Sequence, residues 1–215
     1  MNLLKTVEEA KSKSKKRGFV QSMDLIMNFH NVDFNKPENR IDLEIVLPAG
    51  RGKTIKVAVI VGNELIVEAK RVADRVIARD EIEKLGTDKK TLKKLVSDYD
   101  YFLCQTDLMA LTGKSLGQVM GPKGKLPKPI PPIAKLEPII ERMRKTVRIK
   151  TKGKFLPTLH AIIGTEEMPS EELVKNAEAV IHTVRDKLPN KEGNIRSIYI
   201  KTTMGEPVKV DMNAK

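Results

Sequence analysis

One stretch of the chain combines the residue types that could bind phosphate groups. Residues 113–132 hold four glycines, five prolines and four lysines, and no acidic residue. Glycine permits positive φ, and proline fixes φ and lacks an N–H, so Gly121–Lys125 is predicted to form turns rather than a helix or a central strand. Outward-facing ammonium groups and open backbone amides would suit a phosphate-rich partner, with Lys123, Lys125 and Lys128 as the candidate contacts. A solvated connector explains the same composition equally well.

A second segment, Gly50-Arg-Gly-Lys-Thr54, matches the end of a phosphate-loop motif. The motif requires an earlier glycine, but position 47 is leucine, and a strand rather than a helix is predicted to follow. These departures argue against nucleotide hydrolysis. A phosphate-loop nucleotidase is kept only as an alternative function.

The histidines and the single cysteine give no catalytic or metal-binding pattern. His30, His160 and His182 do not lie at metal-ligand spacing from one another or from Cys104. Cys104 ends an apolar strand and is predicted to be a small core residue. The sequence therefore predicts no catalytic residue, no metal and no cofactor, and a protein that is not an enzyme.

The C-terminal strand carries a row of hydroxyl and ammonium groups. In Ile195–Gly205, Ile198 and Ile200 share one face, whereas the other face holds Ser197, Tyr199, Lys201 and Thr203. Such a face, ending in a glycine turn, could offer side-chain donors and backbone amides to sugar and phosphate oxygens. An ordinary solvated face is the alternative interpretation.

The predicted strands around these residues show two kinds of hydrophobic pattern. Residues 19–29 and 41–47 alternate as half-buried strands do, whereas 55–61 is continuously apolar, as in a parallel strand covered on both faces. Short helices and strands follow to about residue 104, and alternation returns after 146, together with a long helix over 170–187. We therefore predict a discontinuous α+β outer domain, residues 1–51 and 146–215, formed by an antiparallel sheet with helices packed on one face. An α/β domain, residues 52–145, is inserted into it.

Composition favours an anionic partner. The net charge is +12 over 215 residues, which makes nucleic acid the first candidate. Aromatic residues make up only 4% of the chain, whereas repeated base stacking on single strands needs more. A folded nucleic acid recognised through its backbone and shape is therefore expected. No secretory leader or membrane span is recognised, so a cytoplasmic protein is predicted.

Five segments together resemble a known family. They are Gly18–Asp24, Pro37–Arg40, Leu47–Lys53, Leu116–Pro129 and Tyr199–Gly205. In combination they are similar to the archaeal form of the "L one" family, the ribosomal proteins of the large subunit's mobile lateral stalk. The resemblance covers nearly the whole chain.

The resemblance implies a Rossmann-like inserted domain and an RNA site on the outer domain. Matched by position, the implied RNA contacts are Phe19, Ser22, Asp24, Ser197, Thr203, Met204 and Gly205. Family members often have threonine and glutamate where this chain has Ser22 and Asp24, so these two side chains have a shorter reach.

The resemblance also implies partners. They are the stalk region of the large-subunit ribosomal RNA, the departing deacylated tRNA in the exit site, and the protein's own messenger, whose translation it would repress. A cytoplasmic, ribosome-bound protein that is monomeric when free is expected. Charge alone would instead place the RNA on the inserted domain, because residues 52–145 hold 19 basic and 12 acidic residues, against 21 and 16 in the rest of the chain. A non-specific basic nucleic-acid binder is therefore the remaining alternative.

Overall fold

The structure, a computed structural model, describes residues 2–132, 135–151 and 156–211. The chain is a mixed α/β protein that divides into two compact units. Unit 1 comprises Met1–Lys53 and Lys145–Lys215, and unit 2 comprises Thr54–Arg144.

Unit 1 is built from two α-helices and two antiparallel sheets, and its segments come from both ends of the chain. Its helices are α1 (Leu3–Ser12) and α7 (Ser170–Lys187), and its strands are β1 (Ser22–Phe29), β2 (Asp42–Val46), β7 (Thr146–Lys150), β8 (Thr158–Thr165), β9 (Ile195–Thr202) and β10 (Val208–Lys209). Four strands form one sheet in the order β10-β9-β1-β8, and β2 pairs with β7 in a second sheet. Both sheets are antiparallel.

The core of unit 1 lies on one face of the four-stranded sheet. Alternate side chains of β1, namely Met23, Leu25, Met27 and Phe29, are buried. They belong to one apolar cluster with Val7 of α1 and with Leu173, Ala177, Val180 and Val184 of α7. Because residues alternate across a strand, the other β1 side chains point to the opposite face, where Asp24, Ile26 and Asn28 are only half-buried.

Unit 2 is built around a parallel sheet. Its strands are β3 (Val57–Val61), β4 (Arg75–Ala78), β5 (Tyr101–Gln105) and β6 (Lys128–Ile130), and its helices are α2 (Ile66–Val72), α3 (Arg79–Thr87), α4 (Lys89–Asp98), α5 (Met109–Met120) and α6, which runs from Leu136 to Lys145. The strand order is β4-β3-β5-β6. All three strand pairs are parallel.

Both faces of this parallel sheet are covered, which explains why β3 is apolar at every position. Ala58 and Ile60 belong to an apolar cluster with α3, α4 and α5. Val57, Val59 and Val61 belong to another cluster, with α2 and α6. All five β3 residues are buried.

Most predicted elements are found, with shifts at their ends. The helix predicted over 170–187 is confirmed as α7. The first strand begins at Ser22 rather than at residue 19, where the predicted alternation starts, and Phe19 is 54% exposed. The last strand is short and is confined to Val208–Lys209.

The glycine- and proline-rich stretch is only partly a loop. Residues 113–120 belong to α5, although helical glycine costs about 1 kcal/mol relative to alanine. Thr112, Leu116 and Met120 recur every four residues and are buried, whereas Gly113 and Gly117 lie on the less buried side. Burial of that stripe offsets the cost of the two glycines. The predicted turn forms after α5, where Gly124 has φ +67° and its N–H donates to Gly121 O at 2.9 Å.

Candidate nucleic-acid interface

The face of the unit 1 sheet opposite the core presents three rows of cross-strand neighbours. The pairing aligns Asp24 with Lys201 and Ile162, then Ile26 with Tyr199 and His160, and then Asn28 with Ser197 and Thr158. We call these nine residues the outer sheet face. Its side chains range from buried Ser197 to exposed His160, and most are half-buried. The face therefore offers hydroxyl, amide, carboxylate and cationic groups on a rigid support.

Asp24 is the acidic group of the outer sheet face. Burial raises the pKa of its carboxyl above the ordinary value of 3.8, and the charges of Lys201, His160 and Lys53 oppose that rise. A half-buried carboxylate among cations can accept hydrogen bonds from 2′-hydroxyl or base amino groups. Asp24 therefore lies on the face of the sheet opposite the core, where its carboxylate is accessible.

Ser22 and Thr203 hold each other in place where β1 begins and β9 ends. The N–H of Ser22 donates to Thr203 Oγ1 at 3.1 Å, and the N–H of Thr203 donates to Ser22 O at 3.0 Å. Thr203 Oγ1 also lies 3.2 Å from Ser22 O, to which it can donate. Lys53 Nζ donates to Ser22 Oγ at 2.8 Å. The Thr203 hydroxyl therefore stabilises the strand ends, which the sequence did not reveal.

Gln21, just before β1, is a polar residue at a position where the alternation of residues 19–29 places apolar side chains. Its side chain is fully buried. The amide nitrogen donates to Ser14 Oγ at 2.8 Å and Glu166 Oε2 at 3.1 Å, and the amide oxygen accepts from the Met204 N–H at 3.2 Å. The buried amide therefore fixes the turn after β9. A buried polar residue inside an apolar face is the sequence signal that could have indicated it.

The turn at residues 203–205 does not offer open backbone amides, contrary to the expectation from the sequence. Its three N–H groups donate within the protein, to Ser22 O, to Gln21 Oε1 and to Thr202 O. Gly205 is required by close packing, because a Cβ there would lie 2.2 Å from Thr202 Oγ1. That hydroxyl is itself fixed by donating to Ser14 Oγ at 2.9 Å.

Two apolar side chains are exposed beside this turn. Met204 is 60% exposed and Phe19 is 54% exposed. Gln21 links them, because it follows Phe19 by two residues and bonds to the backbone of Met204. The hydrogen bond to Gln21 fixes the backbone of Met204, and exposed large apolar side chains are suited to pack against the sugar or base of a bound nucleotide.

Ser197 is brought to the same face but is engaged internally. It is 8% exposed, and its Oγ accepts from Asn28 Nδ2 at 3.0 Å. The structure therefore brings Ser22, Asp24 and Ser197 to the outer sheet face and its end, and places Phe19, Thr203, Met204 and Gly205 around the adjoining turn.

The predicted basic loop does not present its ammonium groups as expected. Lys125 Nζ donates to Val96 O at 2.9 Å and Tyr99 O at 2.6 Å, and Lys123 Nζ donates to Ser97 Oγ at 2.6 Å. Both lysines thus sit at the C-terminal end of α4, where cations are stabilised by the helix dipole. Lys128 lies over the Tyr101 ring, 5.6 Å from its centre. The loop amides of Gly124 and Lys125 are also bonded internally.

The remaining chemistry considered from the sequence has no support in the structure. Across residues 2–132, 135–151 and 156–211, no group of three or more histidine, cysteine or acidic side chains could hold a metal ion. Burial raises the pKa of the Cys104 thiol, the opposite of what a nucleophile needs. After Gly50–Thr54 the next element is the strand β3, not a helix. Within the described part of the chain, no helix combines the length and apolarity needed to cross a bilayer.

Comparison with known proteins decides the family. The model of the "Ribosomal protein L1p/L10e family" matches residues 8–206. The chain belongs to this family. The match confirms the resemblance drawn from the five sequence segments, and the family consists of structural ribosomal proteins rather than enzymes.

Curated relatives of the L1 family agree over nearly their full length. The protein of Methanothermococcus thermolithotrophicus is 45% identical over 210 residues, which cover 98% of both chains. That of Methanothermobacter thermautotrophicus is 46% identical over 209 residues, covering 97% of this chain and 98% of the relative. That of Thermococcus kodakarensis is 44% identical over 210 residues, covering 97% and 96%. Each is named "Large ribosomal subunit protein uL1", and all three come from archaea, so the chain is of the archaeal type.

Proposed function

We propose that the protein is a structural constituent of the large ribosomal subunit and binds large-subunit ribosomal RNA through unit 1. Family membership and the relatives' names support the ribosomal setting. The contact surface is the outer sheet face together with the turn at Thr203-Met204-Gly205. The observation that carries this assignment is the pair of exposed apolar side chains, Phe19 and Met204, held beside a polar sheet face.

Each part of this surface has a separate task in RNA recognition. Asp24 and the hydroxyls of Ser22 and Tyr199 bind polar groups of a folded RNA, while Lys201 and Lys53 bind phosphate oxygens. Met204 and Phe19 pack against an exposed sugar or base. Gln21 and Thr203 act indirectly, because their hydrogen bonds fix the strand ends and the turn.

The specific RNA is the stalk region of the large ribosomal RNA, next to the departing deacylated tRNA. Unit 1 is the RNA-binding outer domain, and unit 2 is a Rossmann-like domain inserted into it; the protein is monomeric when free. In the cytoplasm a structure in the protein's own messenger that mimics the ribosomal site would occupy the same surface and repress translation. Footprinting on that transcript tests the repression, and lack of protection at concentrations that saturate the ribosomal RNA would exclude it.

Replacement of Met204 tests the site without disturbing the fold. Because the Met204 side chain is 60% exposed, Met204→Ala should leave thermal unfolding unchanged. Loss of its contact with RNA should weaken binding to a stalk-RNA fragment by roughly tenfold or more. The matched control is Leu126→Ala in unit 2, since Leu126 is also 60% exposed.

The two variants give distinct outcomes when binding is titrated at physiological salt. Weaker binding by Met204→Ala alone supports the site. Equal binding by both variants and the unaltered protein would remove the turn from the interface. RNA crosslinking followed by identification of the attached peptides provides an independent measurement, for which we expect peptides containing Phe19 and Met204.

A further inference from the structure

The helices α4 and α5 of unit 2 carry a concentration of positive charge that the proposed site does not use. Together they contain five lysines and one acidic residue, Asp98. Leu92 and Val96 turn one side of α4 toward the core. The lysines lie on the solvent side of these helices, at positions 89, 90, 93, 94 and 114, and all five are exposed.

The spacing within α4 places like charges side by side. Lys89 and Lys93 are four residues apart, as are Lys90 and Lys94, so each pair shares a stretch of helix surface and repels. Asp88 offsets little of this repulsion, because its carboxylate caps the start of α4 by accepting hydrogen bonds from the N–H groups of Lys90 and Thr91. A polyanion bound along this surface would relieve the repulsion.

A groove runs along the same surface. Its volume is about 420 Å³, and it is bordered by Lys93, Lys94 and Lys123, with Val119 and Pro122 on its wall. Lys123 is held in place, since its ammonium group donates to Lys93 O at 3.2 Å and to Ser97 Oγ at 2.6 Å. The groove thus has a fixed cationic edge and an apolar wall.

The opposite helical layer of unit 2 lacks this bias. α2 contains Glu68 with Lys70 and Arg71, and α6 contains Glu137 and Glu141 among its basic residues. The third helix of the α4–α5 layer, α3, is net acidic, with Asp80, Glu81 and Glu83 against Arg79 and Lys84. The positive charge of the unit 2 helices is therefore concentrated on α4 and α5 rather than spread over the whole layer.

We propose that the α4–α5 surface is a second RNA contact that binds the phosphate backbone of an RNA duplex without reading its sequence. Lysine is a flexible point charge suited to phosphate oxygens, and the residues that line the groove include no aromatic side chain on which a base could stack. RNA is the polyanion favoured because the family is ribosomal. This contact extends the proposed function to unit 2 and does not involve the outer sheet face.

A pair of matched triple variants of the full chain tests the proposal. In the surface variant, Lys90, Lys93 and Lys94 are all replaced by glutamine. In the control, Lys70, Arg71 and Lys135 are replaced by glutamine, which removes the same charge from exposed positions elsewhere in unit 2. The probe is an RNA duplex of about 16 base pairs with arbitrary sequence, a length that known duplex-binding modules span. Binding is measured from about 50 to 200 mM salt.

We expect the surface variant to bind the duplex about tenfold more weakly at the lowest salt. The slope of log K against log salt should become shallower by about 2–3, because three phosphate contacts are lost. The control should match the unaltered protein. Equal losses in both variants would show that net charge alone is responsible, and no loss in the surface variant would exclude duplex RNA as the occupant; either outcome overturns the proposal.

The proposed function is tested by a separate readout in the same series. The surface variant should keep the preference of the protein for the stalk-RNA fragment over the arbitrary duplex, whereas Met204→Ala should lose part of that preference. If Met204→Ala binds the fragment normally while the surface variant loses duplex binding, the unit 1 site is wrong and the α4–α5 contact remains.

Discussion

The two units cover their sheets in different ways, and that difference decides where polar groups can recognise a partner. In unit 2 the buried strand β3 has Ala58 and Ile60 in the apolar cluster on one face of the sheet, and its three valines in the cluster on the other face. In unit 1 the helices cover one face of the four-stranded sheet, and the other face keeps half-buried polar groups such as Asp24. Among the described residues, the four-stranded sheet of unit 1 therefore has a face on which polar side chains are accessible, whereas both faces of the unit 2 sheet are covered.

The net positive charge is larger in the region whose sheet is covered on both faces. Residues 52–145 hold 19 basic and 12 acidic residues, whereas the rest of the chain holds 21 and 16. The more basic region has a sheet with no free face, and its excess charge lies on helices. Net charge therefore indicates where a polyanion is attracted, whereas polar groups in fixed positions indicate where one polyanion is recognised in preference to another.

The largest effect is expected from Gly205→Ala in unit 1. The added Cβ would lie 2.2 Å from Thr202 Oγ1, so the turn or the hydrogen-bonded Thr202 side chain must shift. We expect a loss of stability of about 1–3 kcal/mol from overpacking and a roughly 100-fold loss of affinity for the stalk RNA. Urea unfolding and RNA titration measure the two effects.

A control and a rescue variant identify the cause of the Gly205→Ala effect. Gly193→Ala should be well tolerated, because its Cβ would lie 3.7 Å from Asn190 Cβ, an ordinary contact. Adding Thr202→Ala to Gly205→Ala removes the atom in conflict and should restore part of the affinity. A double variant no better than Gly205→Ala would show that the glycine is required by the RNA rather than by Thr202.

The next largest effect is expected from Gln21→Met. The apolar replacement leaves the Met204 N–H and the Glu166 carboxylate without their buried amide partner, which should cost about 2–3 kcal/mol of unfolding free energy. Affinity for the RNA should fall with it, because the turn is no longer fixed. The same substitution at exposed Gln118 in unit 2 is the control and should change stability by less than about 0.5 kcal/mol. Equal effects of the two substitutions would contradict a special role for Gln21.

Sequence reasoning recovered periodic features and missed contacts between distant segments. The helix over 170–187 was predicted because apolar residues recur there at helical spacing, and the structure buries Leu173, Ala177, Val180, Ile181 and Val184 on one face of it. The alternation predicted for residues 19–29 likewise agrees with the structure, in which Met23, Leu25 and Met27 are buried and Asp24 lies opposite the core. The Gln21 amide could not be understood in this way, because its partners lie as far away as Glu166 and Met204.

The glycine- and lysine-rich segment shows the same limit. Composition suggested that the lysine ammonium groups face outward, but Lys125 Nζ donates to the carbonyls of Val96 and Tyr99, nearly thirty residues away in the sequence. Residues 113–120 became helical because burial of Leu116 and Met120 outweighs two glycines. The low helix propensity of glycine was thus outweighed by tertiary packing, and the packing partners of a residue cannot be read from a single sequence.

A smaller effect, confined to unit 2, is expected from Lys125→Met. Loss of the ammonium group leaves the carbonyls of Val96 and Tyr99 without their donor, and we expect a decrease of about 1–2 kcal/mol in the unfolding free energy. Affinity for the stalk RNA should be unchanged. Lys114→Met, at an exposed position of α5, should leave stability unaffected and serves as the control. Unchanged stability with weaker RNA binding would instead return Lys125 to the role expected from the sequence.

The smallest effect on stability is expected from Asp24→Asn in unit 1. Burial raises the pKa of Asp24 above its ordinary value of 3.8, so the folded protein holds the proton more tightly than the unfolded chain. Stability is therefore lost as pH rises from about the ordinary pKa through the raised one, and the full penalty applies at neutral pH. Asp24→Asn removes the ionisation. It should stabilise the protein at pH 7 by less than about 1 kcal/mol, since the group is only half-buried and Lys201 lies nearby.

The same substitution should weaken RNA binding, which separates recognition from folding at one residue. An amide lacks the negative charge that accepts strongly from RNA donors, so we expect up to about tenfold weaker binding of the stalk RNA. Urea unfolding with and without Asp24→Asn, repeated down to pH 3, should show the stability difference vanishing below the ordinary pKa. Asp211→Asn, an exposed carboxyl of the same unit, should change neither quantity. A variant that is more stable and still binds RNA normally would remove Asp24 from the interface and leave its burial without a functional reason.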